Sequence, residues 1–233
     1  MERTLRSAEA LERAVLKLGF LPFFRSPIPG FSVEEMTPEE YWFEAGVEGP
    51  WEWKGPVIRE WNCTYGKFFR GKAGYISLEW LPDWVNYRRA GYRFDAASPG
   101  GEGHEGRERQ IYEAIVKHES LLIREIRSIC EPGKPAHAII GRGRRESLEA
   151  ALGRLQMGTL VVIADFEYAL DKRDRPYGWG LARYTTPEAL FGEEAILSAR
   201  VRRTPEESKR RLVDHLHQIT PWASEAQILK IIG

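Results

Sequence analysis

Helical and strand periodicities that alternate along 233 residues predict an α+β protein. In the stretch 144–157, Leu148, Ala151, Leu152 and Leu155 recur at helical spacing while Arg144, Arg145 and Arg154 occupy other positions. Gly158 then stops that pattern, and the β-branched run 159–163 starts a strand. From Gly49 to Phe94 the chain is dense in aromatics, among them Trp51, Trp53, Trp61, Tyr65, Phe68, Phe69, Tyr75, Trp80, Trp84, Tyr87, Tyr92 and Phe94. A basic amphipathic helix running into a strand is the ending of a winged helix-turn-helix. The predicted architecture is therefore an aromatic-rich N-terminal region, then a winged helix-turn-helix, then C-terminal helices.

In order along the chain, residues 7–18 read as a short amphipathic helix with Ser7 as N-cap and Gly19 as its stop. Pro22, Pro27 and Pro29 each remove a backbone donor, which predicts a loop over 21–29. Thr37-Pro38-Glu39-Glu40 reads as an N-cap with proline at the first helical position, so a turn or two of helix follows through 41–43. Residues 66–74 read as a basic, turn-rich segment, 75–78 as a short strand or helix entry, and 82–89 as a helix. The small, Gly-rich stretch 96–103 is the best hinge in the chain. It divides the protein into an aromatic-rich domain 1–95, a linker 96–104, a winged-helix domain 105–186 and a C-terminal helical extension 187–233. Helical patterns follow at 105–117, with Ile111, Ile115 and Val116 inward, at 122–129 and at 144–157. A hairpin comes next, with strands near 160–165 and 177–184 around the polar turn 171–176. Helices at about 187–199 and 205–218 precede a tail whose Ile228, Ile231 and Ile232 are too apolar to be left in water. No internal repeat is legible in the letters.

Composition narrows the function classes. An apolar fraction of 42% and aromatic content of 12%, with eight Trp, can build a packed core. Thirty-four basic residues balance 34 acidic ones, so contact with a polyanion must come from a local patch. Charge is uneven: 34–60 holds eight Glu against Lys54 and Arg59, whereas 134–154 carries five basic residues and two acidic. Cys63 and Cys130 lie far apart with no zinc-ligand spacing, and no metal or cofactor is predicted. The N-terminus leads into a charged helix, and no run approaches a membrane span, so the expected setting is the cytoplasm, with no membrane contact.

Two sets of residues are candidates for DNA contact. In the winged-helix reading the third helix presents Arg142, Arg144, Arg145 and Arg154 to phosphates or base edges, while Lys172, Arg173 and Arg175 on the wing reach a neighbouring phosphate or the minor groove. Arginine suits this because its fork grips guanine or phosphate with two bonds. The competing reading makes them solvated faces of an interaction domain. In the aromatic segment, Trp51, Trp53 and Trp61 would line a pocket for a flipped or unpaired base, with Lys67, Arg70 and Lys72 holding the backbone. The competing reading makes these aromatics a core. Glu52, Glu60, Glu79 and Asp83 are candidate general bases or ordinary exposed carboxylates. His215 and His217, two apart on a helix, diverge and read as surface residues. No phosphate loop, Gly-x-Ser-x-Gly or dinucleotide fingerprint is present.

The runs Gly49-Pro50-Trp51-Glu52-Trp53-Lys54, Gly66 to Ser77 and Pro176-Tyr177-Gly178-Trp179-Gly180 resemble bacterial AlkZ-related proteins, relatives of the AlkZ/YcaQ-type DNA glycosylases. The resemblance covers most of the chain and implies a winged-helix architecture and a link to DNA. The glycosylases themselves carry Gln-x-Gln or Gln-x-Asp at the active site. Here Gln110, Gln156, Gln218 and Gln227 are followed two residues on by Tyr112, Gly158, Thr220 and Leu229, so no catalytic pair carries over. The chain is also shorter than three winged helices need. The expected function is a DNA-binding winged-helix protein with a regulatory or repair-accessory role. The alternatives are a diverged DNA glycosylase with an aromatic base pocket, or a protein-interaction module whose wing and tail bury against a partner or a second copy of the chain.

Overall fold

A computed structural model describes residues 4–44, 46–90, 104–132, 147–170 and 176–233. Helix α1 (Ala8–Leu18) starts where the Ser7 hydroxyl accepts from the Ala10 amide at 3.2 Å, and stops at Gly19, whose φ is 79°. Strand β1 (Phe20–Pro22), the short helices α2 (Val33–Met36) and α3 (Glu40–Phe43), and α4 (Pro50–Arg59) follow. Gly49 precedes α4 because a Cβ there would lie 1.7 Å from the Tyr41 carbonyl oxygen, and its amide donates to Glu52 at 2.9 Å. A hairpin, β2 (Cys63–Phe69) and β3 (Lys72–Ser77), turns at Arg70 and Gly71, whose φ values of 53° and 78° suit a two-residue hairpin loop. Helix α5 (Leu81–Arg89) comes next.

Beyond 103 the chain forms α6 (His104–His118), β4 (Ser120–Leu122), α7 (Ile123–Cys130), α8 (Leu148–Met157), β5 (Val162–Leu170) and β6 (Pro176–Thr185). Helices α9 (Pro187–Phe191), α10 (Glu193–Arg202), α11 (Pro205–Ile219) and α12 (Glu225–Ile232) close it. Among the described residues the strands form one six-stranded sheet in the order β1-β3-β2-β5-β6-β4, antiparallel throughout.

That order is a palindrome. Each half of the chain runs helix, short strand, helices, hairpin, and in each half the short strand pairs with the second strand of the hairpin. Left-handed backbone falls at matching places: Gly19 and Glu119 (φ 63°) just before the short strand, Trp61 (φ 60°) and Thr159 (φ 56°) two residues after the helix that precedes the hairpin, α4 or α8. Helices α4 and α8 are each ten residues long, both with glycine at the sixth position, Gly55 and Gly153. Tyr65 then pairs with Ile163, its own counterpart, so a local two-fold axis passes through that pair. One buried row crosses the sheet: Leu21, Tyr75, Tyr65, Ile163, Tyr184, Leu121. The buried Gln156 of α8 reaches across the axis, its side-chain oxygen accepting from the Lys67 amide at 3.1 Å where β2 is irregular.

Several expectations are corrected. Leu21 and Pro22 are not loop but strand, which an edge position permits because the amide that proline lacks has no partner to lose. Residues 66–74 are mostly ladder, since Phe68 and Phe69 bury their rings. The Thr37 hydroxyl donates to the Val33 carbonyl at 2.7 Å and closes α2, leaving Glu39 as the N-cap of α3. Val116 is exposed, and the helix expected over 187–199 breaks at Gly192 (φ 85°). The apolar tail is buried as expected, with Ile228, Ile231 and Ile232 in the core.

Asp83 and His215 are not surface groups. Asp83 is fully buried and accepts from Arg203 Nε at 2.9 Å, from Ser208 Oγ at 2.8 Å and from Arg211. Asn86 adds bonds to the Arg203 carbonyl and to Ser208 at 3.0 and 2.9 Å, so α5 is pinned to α11 by a satisfied polar cluster. His215 stacks on Trp80 at 3.9 Å between ring centres and meets the Leu18 carbonyl at 2.9 Å. No helix among the described residues is long and apolar enough to cross a membrane.

Candidate nucleic-acid interface and aromatic site

Arg142, Arg144 and Arg145, like Lys172, Arg173 and Arg175, lie outside the described residues. The described part of the third helix of the second half is largely buried: Leu148, Ala151, Leu152, Gly153, Leu155 and Gln156 face the interior, while Glu149 and Ala150 near its start are exposed. Arg154 turns inward and pairs with the buried Glu108 of α6, tying the two helices together. Any surface that α8 offers to a groove therefore lies at its N-terminal end, next to Ser147, whose hydroxyl caps the helix by accepting from Ala150 at 3.1 Å.

Lys67, Arg70 and Lys72 share one hairpin and are all exposed. Lys72 Nζ donates to the Arg25 carbonyl at 3.2 Å, and Arg70, at the tip, makes no ion pair among the described residues. Arg70 borders a recess of ≈ 410 Å³ lined also by Phe68, Tyr87, Arg88, Met157 and Ile232. Because β2 and β5 run antiparallel, the two hairpins leave the centre of the sheet in opposite directions. Counting from the Tyr65–Ile163 pair, Phe69 and Leu170 end roughly 35 Å apart.

The three tryptophans do not line one cleft. Trp61 is 54% exposed, alone of the three, with Phe191 at its edge 6.4 Å away. Trp53 is buried against Tyr41 at 5.5 Å. Trp51 is half-buried, with Phe23 at 5.2 Å, Phe24 at 5.8 Å and Trp42 at 6.1 Å.

Around Trp51 the structure assembles groups that the pattern of letters did not single out. The side chain of Lys54, one turn along α4, lies over the Trp51 and Phe166 rings, Nζ at 5.1 and 4.3 Å from their centres. Among the described residues no carboxylate stands within ion-pair distance of it. Burial pushes its amine below the ordinary lysine range, against the opposing pull of Glu52. Glu52 spends its carboxylate on the Gly49 amide, and Asp165 pairs with Arg59 at 2.8 Å. Tyr168 completes the rim, its phenol raised first by burial and then by Glu52, with Arg59 opposing. Two buried polar atoms nearby, the Trp42 indole nitrogen and the Tyr75 hydroxyl, have no hydrogen-bond partner among the described residues. The signal missed in the sequence is Lys54 itself, one of two cations, with Arg59, inside an acidic, aromatic run.

The fold and this site define a class: an α+β protein of two equivalent halves sharing one sheet, with a lysine held among aromatic rings near their junction. The chain belongs to the AlkZ-related family, whose model matches residues 5–233. Comparison with curated proteins and with solved structures gives no match.

Proposed function

We propose that this is a DNA-binding protein built from two winged helices joined through one sheet, acting as an accessory in DNA repair. The observation that carries the reading is the repeated order of helix, strand, helices and hairpin, with the short strand on the far side of each hairpin, which is winged-helix order. The family adds the repair theme. The halves have diverged in charge: the helix before the hairpin is preceded by Glu44 and Glu48 and carries Glu52 in its first turn in the first half, whereas that of the second half is preceded by Arg142, Arg144 and Arg145. On this reading the second half holds DNA through Arg142, Arg144, Arg145 and the wing cations Lys172, Arg173 and Arg175. Arg154 acts as a positioning group through Glu108, and Lys67, Arg70 and Lys72 form a separate basic hairpin.

The test is binding to a labelled duplex, intact or carrying one abasic site, across a salt series. Affinity falls steeply with salt in the wild type. Arg144→Ala with Arg145→Ala weakens binding to every sequence and lowers the salt slope by about one unit per lost phosphate contact. An unchanged slope removes those two residues from the interface, and no binding at low salt overturns the DNA reading in favour of a protein-interaction module. Preference for the abasic duplex favours repair over regulation.

A further inference from the structure

We propose that Lys54 is an amine nucleophile that forms an imine with an aldehyde, the ring-opened C1′ of an abasic deoxyribose presented by DNA. The inference rests on the DNA-binding reading and names a substrate class for it.

The internal repeat supplies the first argument. Along α4 and α8, aligned by their glycines, burial follows the same course from first residue to last, and Lys54 falls at the place of Leu152. Leu152 is 1% exposed and Lys54 7%, so the architecture fills this position with an apolar side chain in one half and needs no charge in the other. A lysine here costs desolvation that leucine would not.

The surroundings supply the second. The amine faces the Trp51 and Phe166 rings, and the nearest acidic groups are committed elsewhere, Glu52 to a backbone amide and Asp165 to Arg59. Burial works toward the neutral amine, the form with a lone pair to donate, while the ring faces attract the ammonium and oppose it. The rim is open enough for a ligand to approach: Trp51 and Tyr168 are half-buried, and Arg59 and Asp165 keep 49% and 39% of their side-chain surface. Trp51 offers a face for stacking, and Arg59 a cation near an incoming backbone.

The step balances without any added oxidant or reductant. The Nζ lone pair adds to C1′, the carbonyl π pair moves to oxygen, and a proton passes from nitrogen to that oxygen to give a carbinolamine. The nitrogen lone pair then expels the oxygen, which takes a second proton and leaves as water. A protonated imine joins Lys54 to the sugar.

Sodium borohydride, which reduces such an imine to a stable secondary amine, provides the test. Wild-type protein and Lys117→Ala, an exposed lysine remote from the site, give a covalent adduct with a labelled abasic duplex, and peptide mapping puts the adduct on Lys54. Lys54→Arg, which keeps the charge without the nucleophile, and Lys54→Leu, which copies the other half, give at least about tenfold less adduct. Thermal unfolding of Lys54→Leu stays at or above the wild-type midpoint. Binding to the same duplex is followed in parallel without borohydride. Binding with no adduct, or an adduct undiminished in Lys54→Arg, overturns the nucleophile while leaving the DNA reading intact; absence of binding overturns both.

Discussion

Glu119 sits at φ 63°, where the counterpart in the first half is Gly19 at φ 79°. A glutamate in left-handed backbone costs about 1–2 kcal/mol, partly offset by the extra chain entropy that glycine loses on folding. Glu119→Gly is therefore expected to stabilise the protein by about 0.5 kcal/mol, read as a rise in the unfolding midpoint. A fall would mean that the side chain holds a contact worth more than the strain. The carbonyl of Glu119 accepts from the Thr185 hydroxyl at 2.6 Å, a bond the substitution leaves in place. Residues such as Ser7 and Gly19 were legible as caps because capping chemistry is local. Asp83 was not, because its burial depends on Arg203, Ser208 and Arg211, more than a hundred positions away.

The docking of α11 turns on His215, whose ring is wedged between Trp80 and the Leu18 carbonyl. Burial lowers its pKa, with the Leu18 carbonyl and Glu79 opposing and Arg211 assisting. A depressed folded pKa means that the neutral ring stabilises the fold. That contribution is complete above the unfolded value near 6.5 and is lost as pH falls below it. As pH falls below about 6.5 the wild type should lose stability faster than His215→Gln, measured by denaturant unfolding at each pH. Parallel curves would show that His215 is not the group that titrates. Helix α4 was the element hardest to read, since Gly55 and Pro56 argue against helix while the packing of Trp53, Val57 and Ile58 imposes it. Helix α8, with no proline and its apolar residues at helical spacing, was legible directly.

At the scale of the whole molecule, the sheet runs unbroken from β1 to β4 in the order β1-β3-β2-β5-β6-β4, and one core cluster includes residues from both halves. The Tyr65–Ile163 pairing and the Gln156 bond to Lys67 join the halves directly. Heating should therefore produce a single calorimetric transition with matching calorimetric and van't Hoff enthalpies. Two resolved transitions would instead favour independent domains on either side of 96–104.

Helix caps, the α+β composition, the hairpin at 160–185 and the burial of the terminal isoleucines were determined by sequence alone, because each follows from local periodicity or from the cost of wetting apolar surface. The two-fold relation between halves was decided only in three dimensions: apart from the glycine shared by α4 and α8, the matching residues named here differ in identity, Lys54 against Leu152 and Tyr65 against Ile163, and agree in burial and backbone conformation. The same is true of the aromatic setting of Lys54, since the Phe166 ring that faces it arrives on β5 from the other half of the chain. Contacts that distant in sequence are fixed by the pairing of β2 with β5, which no turn joins and which therefore leaves no local mark in the letters.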